Sequence, residues 1–294
     1  MERADACDAD GAGSGARDAG TSLNVTWLGH STVLIEGGGT RLLTDPLLRR
    51  WAGPLRRYAA PVDMARLRSL GAVLLSHLHI DHVDRRSLQL LGRSTEVLVP
   101  AHGAPLLRGW GFDRVRPVTA GDVLSVGTLE IRVVPARHES KRHYFADEGE
   151  PVGYVVRAGS AGCTVYFPGD TGPFAEMRQA VGDVDLVLLP IWGWGTSVDD
   201  DIHLTPLTAA EVAAELGPRV VVPIHWGTYA PPVIVQLRRF DQEQPVRAFA
   251  RYAAHLAPQS ETRILRPGES TVVTGRRSES VSLRRAGDKS GAAG

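Results

Sequence analysis

The stretch Ser76-His77-Leu78-His79-Ile80-Asp81-His82-Val83-Asp84 follows directly on the apolar run Ala72-Val73-Leu74-Leu75. A short apolar run of this kind reads as a buried strand. Asp84 is a capping residue for a helix through Leu91. The histidine-aspartate motif therefore sits at the carboxyl end of a strand, where open α/β sheets place their sites. While the chain is still extended, positions 77 and 79 project to the same side. Asp81 and His82, in the turn that follows, can then face a second point nearby. Imidazole and carboxylate are borderline ligands that suit zinc, and manganese or iron as well. Any one of these residues could be a satisfied structural histidine or a helix cap. Their joint spacing, in a chain with only ten histidines, favours a metal site.

One motif supplies four ligands, too few to close a pair of metals, and the remainder are expected at the ends of later strands. His138 closes the run Leu129 to Arg137, Asp170 follows Cys163 to Gly169, and His225 follows Arg219 to Ile224. The candidate ligand set is thus His77, His79, Asp81, His82, His138, Asp170 and His225, enough for two divalent ions. Two such ions lower the pKa of a water between them and polarise the attacked carbonyl or phosphoryl oxygen. Asp81 could also orient that hydroxide. The sequence has no Walker-type phosphate loop, and the chemistry needs no serine or cysteine nucleophile.

Around these residues the pattern repeats. Asn24 to Leu28, Thr32 to Glu36 and Thr40 to Leu43 read as a meander of strands, separated by Gly29-His30 and Gly37-Gly38-Gly39. A helix capped by Asp63 and running through Leu70, strand 72–75, the helix after Asp84 and strand 96–99 follow. A second meander spans 123–126, 129–135, 153–157 and 163–167. It leads into helix 174–181, strand 185–190, helix 206–216, strand 219–224, one long helix around 233–256 and a last strand near 262–266. Two similar halves of this kind suggest two mixed sheets packed face to face, with helices on both outer sides.

Composition narrows the class of protein. The chain has 294 residues, 43% of them hydrophobic, with 33 basic and 33 acidic side chains and a formal net charge of +0. That balance offers no basic surface for a nucleic-acid backbone. Of its two cysteines, Cys7 lies in a polar stretch and Cys163 in an apolar one, so no disulfide framework is expected. No apolar run is long enough to span a bilayer, and the first residues lack the apolar centre of a secretory signal. Residues 1–21 and 276–294 read as a disordered leader and tail, leaving a single domain at 22–275. A cytoplasmic location is expected.

The segments WLGHSTVLIE, LLTDP, SHLHIDH, FPGDTG, LLPIWGWG, HLTP and PIHWGTY, in this order between Trp27 and Tyr229, resemble the metallo-β-lactamase superfamily. More narrowly, they are similar to the branch holding N-acyl-phosphatidylethanolamine phospholipase D and ascorbate-6-phosphate lactonase-like proteins. The resemblance implies a four-layer αββα fold. It also implies one metal held by His77, His79 and His138, a second by Asp81, His82 and His225, and Asp170 as the bridge.

Several residues have a less defined place. In that branch a histidine corresponding to His203 lies near the substrate, where it could protonate a leaving group; otherwise it only packs at the start of helix 206–216. His30 either hydrogen-bonds a metal ligand or is structural. Lys141 and Arg142 could meet an anionic substrate, or form a solvated loop. Trp192 and Trp194 could wall a pocket, or simply fill a turn. The phospholipase has an aromatic residue where Glu139 stands, which argues against an acyl-lipid substrate.

The reading is a two-metal hydrolase, zinc-dependent by preference, for a phosphodiester or phosphorylated small molecule. A lactone or other cyclic ester is the second possibility. A metal-binding regulatory protein without turnover is the third, because ligands alone do not fix chemistry.

Overall fold

Alternate residues of the central strands serve two different cores. Val33, Ile35, Leu42, Leu74 and Leu98 join one apolar cluster. Their neighbours Leu34, Leu43, Val73, Leu75, Val97 and Val99 join another. A strand's side chains alternate between faces, so these strands belong to a sheet covered on both sides. Continuous apolar runs in sequence are the expected signature of that burial.

The computed structural model describes residues 21–138, 149–160, 162–192, 202–236 and 241–275. Its first large sheet contains β1 (Ser22–Gly29), β2 (Thr32–Gly37) and β3 (Thr40–Thr44), then β6 (Ala72–Leu74), β7 (Val97–Pro100) and β8 (Val115–Val118). The second contains β9 (Val123–Val126), β10 (Leu129–Pro135), β11 (Val152–Ala158), β12 (Thr164–Phe167), β13 (Leu186–Pro190), β14 (Val220–Ile224) and β16 (Glu261–Thr262). Strand β17 (Ser270–Thr274) returns to the first sheet and pairs antiparallel with β1. Each sheet has seven strands, in the orders β17-β1-β2-β3-β6-β7-β8 and β16-β14-β13-β12-β11-β10-β9. In both, an antiparallel meander gives way to parallel strands.

The two sheets pack face to face through Trp27, Ile35 and Leu74 on one side and Ile131, Tyr154 and Phe167 on the other, all in a single cluster. Outside the first sheet lie Leu88 and Leu107, from the helices Arg85–Leu90 and Ala104–Gly109. Outside the second lie the helices Met177–Val181, Pro206–Leu216 and Gln244–Leu256, which contribute Met177, Val212 and Phe249. The architecture is the expected layering of helix, sheet, sheet and helix.

Several elements differ from the sequence reading. The segment capped by Asp63 makes only a 3₁₀ turn, Met64–Leu67. Arg68 is extended and Ser69 has φ 55, which ends any helix there. The long helix around 233–256 is instead two, Pro232–Gln236 and Gln244–Leu256. Pro245 sits in the first turn of the second, where proline starts a helix but could not continue one. The last strand near 262–266 resolves into β16 and β17, separated by a turn through Gly268 at φ 99. A third, small sheet of β4 (Trp51–Ala52), β5 (Leu55–Arg57) and β15 (Tyr229–Ala230) was not foreseen. It covers the site end of β1, where Arg57 Nη2 donates to Leu28 O at 2.6 Å. Among the described residues, no helix is long and apolar enough to cross a membrane.

Candidate metal centre

Beyond β6 the chain stays extended through Leu75 and Ser76 and then makes one tight turn. The amides of His82 and Val83 both donate to His79 O, at 3.1 and 2.8 Å. That turn separates the motif into two halves. His77 and His79 face His138, with ligand-type atoms all within 4.8 Å of one another. Asp81 and His82 face His225 and His30 under the same limit. Asp170 lies between, its Oδ2 3.3 Å from His82 Nε2 and 3.4 Å from His225 Nε2. All seven candidate ligands are therefore brought together, from the ends of four strands.

Glycine at position 169 permits the approach of Asp170. The loop after β12 passes so close to Ser76 that a Cβ on Gly169 would lie 2.3 Å from Ser76 Cβ, and its φ is +66. A larger residue would meet both strain and a clash.

Behind the histidines, partners fix each ring. His77 Nδ1 is 2.9 Å from Ser76 Oγ, and His82 Nδ1 is 2.8 Å from Asp45 Oδ2. His138 Nδ1 is 2.9 Å from Ile202 O, and His225 Nδ1 is 2.6 Å from Trp192 O. Each of these rings presents Nε2 forward, whereas His79 presents Nδ1, 3.1 Å from His138 Nε2. Carbonyl and carboxylate partners of this sort orient an imidazole and raise its basicity. Asp45 and Ser76 were not among the residues picked from sequence. The available signal was Asp45 at the end of the apolar strand β3, immediately before Pro46. Asp45 also accepts from Ser76 N at 2.8 Å and Ser76 Oγ at 2.5 Å.

The electrostatics suit metal ligation. Burial lowers His77 well below the ordinary imidazole value, lowers His79, and takes His138 down to about 4. Burial and the adjacent His225 bring His30 to about 3. Burial opposes charge on Asp81 and Asp170, yet the facing imidazoles outweigh it. His82 acts on Asp81, His225 and His82 on Asp170, and both carboxyls are held well below the usual range. His82 is the exception among the rings: burial opposes its charge, but Asp170 and Asp81 push it well above the ordinary value. Lone pairs on neutral imidazoles and ionised carboxylates are what a divalent ion requires.

The donor set also passes a test of fit. His77 Nε2 and Asp170 Oδ1 are buried polar atoms with no hydrogen-bond partner, and His82 Nε2 faces the Asp170 carboxylate, at 3.3 Å. A buried polar group without a partner is costly in a folded chain. Buried atoms of this kind, in residues of the candidate ligand groups, are ones a divalent cation would satisfy.

The other predicted residues are placed less uniformly. His203 Nε2 lies 3.9 Å from Asp170 Oδ2, and its ring is 4.5 Å from His138. Its side chain remains 25% exposed, so it borders the centre and still reaches solvent. Thr205, and not His203, caps the following helix, in a reciprocal box with Thr208. Trp192 contributes its backbone carbonyl to His225 Nδ1. Lys141, Arg142 and Trp194 lie outside the described residues.

A model of the beta-lactamase superfamily domain matches residues 40–226, a span that includes every candidate ligand. The chain belongs to this superfamily. A UPF0173 metal-dependent hydrolase from Methanopyrus kandleri is 32% identical over 258 residues, covering 84% of this chain and 99% of the relative. An uncharacterized protein of Mycobacterium tuberculosis is 34% identical over 232 residues, covering 72% of this chain. The chain spans only 61% of the length of that relative. Among solved structures, Igni18, described as a novel metallo hydrolase from Ignicoccus hospitalis, superposes with a TM-score of 0.66 at 25% identity. The match covers 86% of this chain and 99% of that one. The superfamily fold thus accounts for the paired sheets and for the position of the histidine-aspartate motif between them.

Proposed function

We propose that this superfamily member is a two-metal hydrolase whose substrate is a phosphodiester or a phosphorylated small molecule. The observation that carries the reading is the pair of buried ligand groups, His77 with His79 and His138, and Asp81 with His82 and His225, with buried Asp170 in reach of members of both. His77, His79 and His138 would hold one ion, Asp81, His82 and His225 the other, and Asp170 would contact both. Zinc is the preferred identity for this mixture of imidazole and carboxylate, with manganese and iron as neighbours in preference. Bound there, the ions would supply Lewis acidity and a water acidified to near neutral pH.

The protein's own part is positional. Asp45, Ser76, Ile202 O and Trp192 O hold the rings in place. His203, at the solvent side of Asp170, can place a proton on a departing oxygen. Support for a phosphorylated substrate comes from Lys141 and Arg142, which follow His138 in sequence, and from the resemblance to the phospholipase branch. The same ligands would serve a lactone, so substrate choice rests on the surrounding pocket.

The test pairs metal analysis of the purified chain with a panel of bis-p-nitrophenyl phosphate, p-nitrophenyl phosphate and lactones. Close to two equivalents of metal and turnover of the phosphodiester are expected. Turnover of lactones alone would transfer the assignment to cyclic esters. Less than half an equivalent of metal, after growth and purification with added metal and no chelator, would remove the reading altogether.

A further inference from the structure

His30 was not counted in the ligand set, yet it lies against three members of it, Asp81, His225 and, with ring centroids 5.2 Å apart, His82. Its Nε2 is 3.1 Å from Asp81 Oδ2, and its ring centroid is 3.9 Å from that of His225. Its backbone joins the same group. His225 N donates to His30 O at 3.0 Å, Trp27 Nε1 donates to the same oxygen at 2.8 Å, and His30 N donates to Thr228 Oγ1 at 3.0 Å. Both histidines occupy the left-handed region, at φ 54 and φ 65. Few residues other than glycine are found there, and such strain persists only where the surroundings enforce it. The residue itself is 1% exposed, so it has no route to bulk substrate.

We infer that His30 is a positioning residue, which donates from Nε2 to Asp81 and so makes the Asp81–His82–His225 point able to hold its ion. This rests on the two-metal reading above and deepens it. The two ligands it joins lie far apart in sequence, and each has reason to drift without it. Asp81 sits on a tight turn with 17% of its side chain exposed. His225 holds a strained backbone whose amide is bound by His30 O. A donor fixed against the carboxylate selects which way its lone pairs face, the kind of outer hydrogen bond whose loss weakens metal binding about tenfold to a hundredfold. The group formed by His77, His79 and His138 does not include His30, so the first ion should be held as before.

Two substitutions separate this role from a merely structural one. In His30→Gln the side-chain amide nitrogen stands at the same remove from Cβ as Nε2, so it can reach Asp81. In His30→Asn the amide stops a bond short, yet asparagine tolerates a left-handed backbone better than glutamine does. A structural requirement for the turn is met by Asn and a donor requirement by Gln. Zinc titration of the full chain, starting from chelator-treated protein, measures both binding steps. The wild type is expected to take up two equivalents. His30→Gln should keep both within a few fold. His30→Asn should keep the first and weaken the second about tenfold to a hundredfold, with the melting temperature of the metal-free protein little changed. Equal retention of both ions by the Asn variant overturns the inference, as does loss of the second ion in the Gln variant. A wild type that binds fewer than two ions overturns the two-metal reading instead, and that result is visible before either variant is compared.

Discussion

Asp45 Oδ2 lies 2.8 Å from His82 Nδ1, with both side chains wholly buried. The same carboxylate accepts two further bonds from Ser76, one of them from its backbone amide. Strand β3 is thereby joined to the loop that carries the metal motif. Asp45→Ala leaves all three donors without an acceptor. It should cost about 3 kcal/mol of stability, between the loss of a neutral bond and the breaking of a buried charged pair. Asp45→Asn can still receive the Ser76 amide and should recover part of that loss. Urea unfolding of the metal-free protein measures both. A change below about 0.5 kcal/mol for Asp45→Ala, the scale of an inconsequential surface substitution, would mean that this join is not what holds the loop.

Asp170 is 5% exposed, lies 3.3 and 3.4 Å from His82 and His225 of one half, and shares a candidate ligand group with His138 of the other. In Asp170→Ala, bound metal and hydrolysis should both fall, while the far-ultraviolet spectrum stays that of a folded chain. Full activity in this variant would rule out the bridging position.

His203 lies outside the predicted ligand set, so His203→Ala should retain both ions. Loss of a positioned acid is expected to lower turnover by roughly a hundredfold or more. An activated p-nitrophenolate leaves without needing a proton, so the defect should be smaller on that ester than on an alkyl ester. Equal defects on the two would point to substrate binding and away from proton donation.

Cys163 is buried beneath β17, with its Sγ donating to Val273 O at 3.2 Å. Burial, aided by Asp185, pushes the thiol up to about 12. The thiolate is the reactive form, so the folded protein at pH 8 should resist alkylation at this position. The measurement uses a Cys7→Ser background, leaving one thiol to read. A chain shortened to end before Ser270 should be labelled rapidly. Rapid labelling of the full-length protein would show that β17 opens readily from β1.

Much of the centre was legible before any coordinates because its ligands share one grammar. Each stands just past an apolar strand, and His77 to His82 lie within six residues. The supporting groups followed no such rule. Ile202 and Trp192 act through carbonyl oxygens, which any residue could supply, and Asp45 resembles many aspartates that precede a proline. In the fold, strands of two residues such as β4 and β15 have too few positions to show a period. Strand β17 has the right β-branched composition, but its alternating exposed and buried residues match a partner at the opposite end of the chain. The helix expected through Leu70 stops at Leu67, because Arg68 is extended and Ser69 left-handed; the cap at Asp63 marks where a helix starts and says nothing of where it ends.

Strand β1 is flanked on one side by its immediate successor, β2, and on the other by β17, from Ser270 to Thr274. During synthesis β2 is available at once, whereas β17 is made long after the last candidate ligand, His225. Until then β1 has a bare hydrogen-bonding edge, and such edges invite pairing with other chains. The strand that ends beside His30 is thus finished only after about 240 further residues have left the ribosome. Slow, long-range closure of this kind leaves the nascent chain exposed to aggregation until β17 has emerged.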